Sequence, residues 1–132
     1  MAQRDFTNAA LHDRVIDAAI KRLNRVEFDI YTNPGTKKNA GILENYPDII
    51  MTKKGTNEVA FIIEVETADS INPSEAEGQW KKYASEIDAS FYLLVPEASL
   101  KKASDLCIQL GISVRFASYS VDNFNNISIK FM

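Results

Sequence analysis

Hydrophobic residues follow two patterns along the chain, that of an amphipathic helix near the start and that of β-strands after it. Near the start, apolar side chains recur three or four positions apart, which predicts one buried face on an amphipathic helix. We predict this helix over residues 7–24, with Thr7 or Asn8 as its N-cap. The apolar face consists of Leu11, Val15, Ala18, Ala19 and Leu23.

Short runs rich in β-branched and aromatic residues then predict strands. The first strand carries Val26, Phe28 and Ile30 on one face, and a polar, turn-rich loop at 33–41 follows it. The turn at Lys53–Asn57 joins the second and third strands into a hairpin. The predicted strands are 25–32, 47–51, 59–66, 91–95, 112–117 and a short last one at 127–131.

Two helices alternate with the later strands. One is predicted over 75–88, with Ser74 as N-cap and Glu77 as the matching acid, and the other over 97–110, closed by Gly111. Strand–helix–strand units pair in parallel, whereas a hairpin pairs antiparallel. The order α-β-β-β-α-β-α-β therefore predicts an α/β fold with a mixed central sheet flanked by helices.

Length and composition favour a single intracellular domain. The 132 residues and 45% hydrophobic content suit one domain over 1–132 with one sizeable core. No apolar run approaches the ~18 residues of a membrane span, and residues 1–5 do not resemble a signal peptide. The single cysteine, Cys107, excludes an internal disulfide framework and favours a reducing compartment. We predict a cytoplasmic protein with no membrane partner.

Three acidic residues surround two of the predicted strands and carry the candidate chemistry. Glu64 and Glu66 point to the same side of their strand, and Asp48 can lie beside them if the hairpin forms. Carboxylates packed together repel one another unless a cation offsets their charge. Oxygen ligands of this kind suit Mg²⁺ or Mn²⁺.

At these residues the chain resembles the PD-(D/E)xK nuclease superfamily, which has the restriction-endonuclease-like fold. The motif of that superfamily is Pro-Asp, then a turn, then an acidic residue, any residue and Lys on the next strand. The matching residues are Pro47-Asp48 and Glu64-Val65-Glu66. Glu66 departs from the motif by standing where the superfamily usually has Lys, although some restriction enzymes carry Glu there and still cut DNA with two metals.

A second motif extends the resemblance to most of the chain. Gln79 and Tyr83 have the Gln-x-x-x-Tyr spacing that follows the core motif in RecB-like members of the superfamily, and this spacing puts both on one helix face. By order of elements the resemblance covers roughly residues 7–120. Asp13 and Asp17 on the first helix are candidates for the additional helical acid of many members.

The resemblance implies a three-layer sandwich and a metal-dependent endonuclease that hydrolyses DNA phosphodiester bonds. Asp48 and Glu64 would bind Mg²⁺ or Mn²⁺, Glu66 would complete the metal shell or orient a water, and Gln79 and Tyr83 would support the site. A chain of this size would act as a homodimer or with a partner protein. The alternative is a catalytically decayed binding or assembly module that retains the fold.

The lysines and the other reactive side chains could have structural or surface roles instead of functional ones. The net charge of −3 disfavours nonspecific coating of nucleic acid. Paired lysines commonly occupy solvated surfaces, but a local patch could still contact phosphates. His12 is interpreted as a surface or capping residue, Trp80 as a packing residue and Cys107 as a core residue. The lysines predicted to contact DNA are Lys37, Lys38, Lys81 and Lys82.

Overall fold

A computed structural model describes residues 6–23 and 25–132. The character of residues 1–5 and of residue 24, where the first helix is predicted to end, falls outside this range. The first helix in fact ends earlier than predicted, at Ile20. Within the described range, no helix is long and apolar enough to cross a membrane. The strands are β1 (Phe28–Thr32), β2 (Ile49–Lys53), β3 (Val59–Val65), β4 (Ser90–Pro96), β5 (Arg115–Val121) and β6 (Ile127–Phe131).

Helices precede and separate these strands. A short α-helical turn, a π-helical turn and a further α-helix run without interruption over residues 73–86, and we refer to them together as the α2–α3 segment. The helices are α1 (Phe6–Ile20), α2 (Pro73–Glu75), the π-turn (Ala76–Trp80), α3 (Lys81–Glu86) and α4 (Leu100–Leu110), with 3₁₀ turns at Ala68–Ser70 and Glu97–Ser99.

The six strands form one mixed sheet in the order of the sequence. β1, β2 and β3 pair antiparallel, β4 and β5 continue the sheet in parallel, and β6 closes it antiparallel to β5. The predicted hairpin, the mixed sheet and the α/β class are therefore confirmed. β6 lies beside β5 because a short turn connects them.

Alternation along the strands gives the sheet two apolar faces. Ile62 packs on the side of the α2–α3 segment and α4, whereas its neighbour Ile63 packs on the side of α1. Ile49 and Ile50 in β2 divide between the two faces in the same way. Both faces of the sheet are thus buried by helices, which explains why its central strands are nearly continuous apolar runs.

The structure shifts several predicted boundaries. The prediction for Val26 is wrong, since β1 begins at Phe28 and Val26 is 85% exposed. β2 begins at Ile49 rather than Pro47, because proline has no N–H for the ladder. The strand predicted at 112–117 is β5, and it lies later because residues 112–114 are needed to leave α4 and reach the partner of Tyr92.

The α2–α3 segment starts earlier than predicted. Its cap is Asn72 rather than Ser74, and the Asn72 side chain accepts a hydrogen bond from the Glu75 backbone N–H at 2.9 Å. Pro73 follows at the first helical position, where its fixed φ suits the helix and no N–H is needed. The earlier start adds two helical residues in front of the residues predicted to be functional.

Candidate active site

A cleft of about 230 Å³ lies between two walls, with Asp48 and Glu64 among its lining residues. One wall is residues 33–46 of the connection between β1 and β2, which we call the lysine loop. The other wall is the α2–α3 segment. Side chains from five separate parts of the chain meet here: His12, Asn33, Lys37, Lys38, Asp48, Glu64, Gln79, Lys82 and Tyr83.

The register of the hairpin brings the two acidic residues together. Ile49 in β2 pairs with Ile63 in β3, so Asp48 and Glu64, the next residues outward, lie opposite each other. Each side chain accepts a hydrogen bond from the other strand, since Glu64 Oε1 is 2.8 Å from the Asp48 backbone nitrogen and Asp48 Oδ2 is 2.8 Å from that of Val65. These reciprocal bonds fix both carboxylates.

One oxygen of each carboxylate remains available to the cleft. Among the described residues, Asp48 Oδ1 and Glu64 Oε2 accept no hydrogen bond, although the two side chains belong to residues only 7% and 4% exposed. Neither oxygen is sealed in the core, because Thr52 Oγ1 is the only fully buried side-chain oxygen without a partner among the described residues. The pair is therefore suited to hold a ligand that brings positive charge or hydrogen-bond donors.

Electrostatics in the cleft disfavour two negative charges. Burial, and then the charges of Asp48, Glu66 and Glu75, raise the pKa of Glu64 well above its ordinary value, against the weaker effect of the hydrogen bond from the Asp48 backbone. A shift with these causes is typical of functional carboxylates. Burial and the neighbouring acids thus oppose ionisation of Glu64, and a bound cation would favour the ionised form.

His12 is the site residue that the sequence interpretation missed. It is only 3% exposed, and its Nε2 lies 3.0 Å from Asp48 Oδ2, so its interpretation as a surface or capping residue is wrong. One signal was present in the sequence. His12 precedes Ile16 by four positions and Ala19 by seven, which places it on the buried face of α1.

The two candidate helical acids differ in location. Asp13 Oδ1 lies 3.1 Å from His12 Nδ1 and accepts a hydrogen bond from the Gly35 backbone N–H at 2.9 Å. It therefore orients His12 and ties α1 to the lysine loop. Asp17 is exposed on α1 and does not line the cleft.

Glu66 lies behind the cleft rather than in its lining. Its residue is fully buried, and its carboxylate accepts hydrogen bonds from the Ser70 hydroxyl and from Trp80 Nε1, the latter at 2.8 Å. The Tyr119 hydroxyl donates to its backbone carbonyl at 2.8 Å. Glu66 thus joins the end of β3 to the π-turn, and Trp80 is both a packing residue and the donor in this contact.

The π-turn and α3 bring the second motif to the cleft. Gln79 and Tyr83 lie on one helix face, as their spacing predicted, and Gln79 Nε2 is 3.1 Å from the Tyr83 hydroxyl. Burial, and then the negative charge of Glu64, raise the pKa of the Tyr83 phenol far above its usual value. The phenol therefore stays protonated and can donate a hydrogen bond.

Three of the four predicted lysines line the cleft. Lys37 and Lys38 belong to the lysine loop and Lys82 to α3, and all three are exposed. Lys81 does not line the cleft, because it points toward Glu77 and lies 3.5 Å from its carboxylate.

Asn33 holds the lysine loop in place. This buried side chain donates to the carbonyls of Ala40 and Pro47, both at 2.7 Å, and accepts from the Ala40 N–H at 2.8 Å. The bonds connect the two ends of the loop across its base. They give this otherwise irregular segment a defined path beside Asp48.

Within the described part of the chain, no three Asp, Glu, His or Cys side chains form a group that could hold a metal ion. The donor set still fits Mg²⁺, which proteins commonly bind through one or two carboxylates together with water and substrate phosphates. Asp48 and Glu64 supply two such carboxylates. No protein-family model matches the chain, and neither a curated protein nor a solved structure is significantly similar to it.

We expect Glu64→Gln to stabilise the metal-free protein at neutral pH. Because the folded-state pKa of Glu64 lies above the ordinary 4.5, the folded state binds more protons between these two values, and the free energy of unfolding falls as pH rises through that window. Gln does not titrate and can still accept the Asp48 N–H. Denaturation in EDTA from acidic to neutral pH should give a flatter curve for the variant, and a variant that is less stable at every pH would contradict this.

Proposed function

We propose that the chain is a metal-dependent nuclease of the PD-(D/E)xK type that hydrolyses DNA phosphodiester bonds. The observation that carries the proposal is the pair of buried carboxylates, Asp48 and Glu64, each with an oxygen available to a cleft that is lined by lysines. Buried acids beside exposed basic side chains suit a phosphate that arrives together with a cation. The positions of both acids agree with the Pro-Asp and acidic positions of the superfamily motif.

The order of elements supports the same proposal. In this superfamily the acids are expected on a hairpin that follows the first helix, with a helix and a parallel strand after it, and α1 to β4 have this order. The restriction-endonuclease-like assignment, the cytoplasmic location and the homodimer or partner protein remain predictions. Helices on both faces of the sheet are compatible with the expected three-layer arrangement.

Each residue of the cleft can be given a task. Asp48 and Glu64 would hold Mg²⁺ or Mn²⁺, and His12 helps to keep Asp48 in position through its contact with Asp48 Oδ2. The chemistry that such an ion supplies is activation of a water and neutralisation of charge on the phosphate. Two residues, Gln79 and Tyr83, would donate hydrogen bonds. Three lysines would contact phosphates, namely Lys37, Lys38 and Lys82.

Metal binding tests the carboxylate pair. Mn²⁺ should raise the unfolding free energy of the wild type, by roughly 2.7 kcal/mol when the free ion reaches about 100 times its Kd. Asp48→Asn should abolish most of this increment and reduce cleavage of plasmid and short DNA by orders of magnitude, because a ligand charge is lost. Asp17→Asn, which removes an exposed acid from α1, is the matched control and should behave as wild type. An unchanged Mn²⁺ shift in Asp48→Asn would refute the metal site.

Two adjacent lysines of the α2–α3 segment test whether the lysines of the cleft bind DNA. Lys82→Ala should weaken DNA binding and reduce the magnitude of its log–log salt slope by roughly 0.7–0.9, the amount expected for one lost phosphate contact. Lys81→Ala removes the same charge one position away, outside the cleft, and should have a smaller effect on the slope. Binding titrations at several salt concentrations measure both, and equal effects would show that the cleft does not direct the contact.

A second candidate function is a catalytically decayed binding or assembly module. The observation that favours it is the environment of Glu66, whose carboxylate is occupied by Ser70 and Trp80 and whose position lacks the lysine of the motif. In the nuclease proposal the same contacts give Glu66 a structural task. Absence of both cleavage and a Mn²⁺ shift in the wild type would favour the decayed module.

Glu66→Gln tests whether Glu66 stabilises the fold through Ser70 and Trp80 or binds the metal. Because two buried donors lose a charged acceptor, we expect the unfolding free energy to fall by about 1.5–3 kcal/mol. The Mn²⁺ increment should persist, because Glu66 does not line the cleft. Denaturation with and without Mn²⁺ measures both quantities, and loss of the increment in a folded variant would instead support the ligand role predicted from the sequence.

A further inference from the structure

Gly78 occupies a position where the fold does not require glycine. It lies inside the π-turn, is exposed and lines the cleft. Its φ is not in the left-handed region, unlike that of Gly35, which lines the same cleft. A Cβ built on Gly78 would meet no atom within 4 Å. Neither backbone conformation nor packing therefore explains the glycine, and glycine in a helix interior is unfavourable.

The space beside Gly78 belongs to the cleft that contains the carboxylate pair. Two buried side chains in it, Asp48 and Glu64, have oxygens that accept no hydrogen bond from the described residues. Lys82 lies one helical turn beyond Gly78 and lines the cleft too. A ligand bound at the carboxylates would therefore lie next to the backbone of Gly78, which carries no side chain, and next to the positive charge of Lys82.

The size of the cleft limits what can enter. Its volume of about 230 Å³ is below the roughly 300–1,000 Å³ of clefts that enclose drug-sized ligands. The walls are also joined directly, because Asn45 Nδ2 lies 3.3 Å from Glu86 Oε1. Only part of a polynucleotide, such as one phosphate with its sugar, can reach the carboxylates, and the rest of the strand must pass over the rim.

We infer that Gly78 is the point where the sugar–phosphate backbone of the substrate strand crosses the α2–α3 segment, and that the missing side chain lets the strand descend to Asp48 and Glu64. This inference rests on the proposed nuclease function. Glycine serves in this way wherever a ligand must approach the protein backbone closely. Gly78 is thus a residue that positions the substrate, and it takes no part in the chemistry.

The test enlarges this position step by step. In Gly78→Ala we expect an equal or higher melting temperature, because the helix loses a glycine and the added Cβ meets no atom within 4 Å. Gly78→Leu extends from the same open position and should stay folded. With a short fluorescein-labelled oligodeoxynucleotide, single-stranded or duplex, Kd should rise from wild type to Ala to Leu. The cleavage efficiency kcat/KM of the Leu variant should fall about 100-fold, the loss expected when the reacting group is displaced by about 1 Å.

Two controls make the result specific. Ser74→Leu places the same leucine side chain at an exposed position of the α2–α3 segment that does not line the cleft, and it should bind and cut DNA as wild type. Trp80, the only tryptophan, lies two residues from Gly78 and is fully buried, so its fluorescence reports any change in the π-turn. The Mn²⁺ increment in stability should survive in both Gly78 variants.

The outcomes separate this inference from the proposed function. Wild type that cuts DNA, together with a Gly78→Leu variant that binds and cuts equally well, would overturn the inference and leave the nuclease proposal intact. Weaker cleavage accompanied by altered Trp80 fluorescence or a lost Mn²⁺ increment would also overturn it, because the site itself would have changed. Wild type that neither binds nor cuts DNA would remove the nuclease proposal and the inference with it.

Discussion

The pairing of β2 with β3 is the constraint on which the site depends. Because Ile49 faces Ile63 in this ladder, Asp48 and Glu64 emerge opposite each other, and each accepts a backbone hydrogen bond from the other strand. A shift of the register by one residue would turn every side chain of the strand to the other face. The same shift would separate the carboxylates and bury a charge in the core.

Burying two acids is unfavourable, and contacts from the surrounding segments stabilise them. His12 contacts Asp48 from α1, and Asp13 orients His12 while also binding the lysine loop. Glu66 ties the end of β3 to Trp80 in the π-turn. These contacts hold three separate segments around the same pair, so the cleft is organised before any ligand arrives, which reduces the ordering that binding must impose.

Much of the fold could be predicted from local pattern, and the site only in part. The hairpin and the strand–helix–strand units predicted the mixed sheet, and the spacing of Gln79 and Tyr83 predicted that they share one helix face. The sequence could not tell Lys81 from Lys82, because both are lysines on one helix. Only their directions differ, and those put Lys82 in the cleft and Lys81 beside Glu77. His12 was misjudged because its partner, Asp48, is distant in sequence.

The sequence by itself determined the α/β class, the order of the main elements and the placement of Asp48 and Glu64 at the ends of paired strands. These follow from periodicity and turn chemistry, which act over a few residues. Only the tertiary structure decided that His12 belongs to the cleft, that Glu66 lies behind it and that Gly78 borders it with open space. Such facts depend on how distant segments pack against the sheet, and no local pattern encodes that geometry.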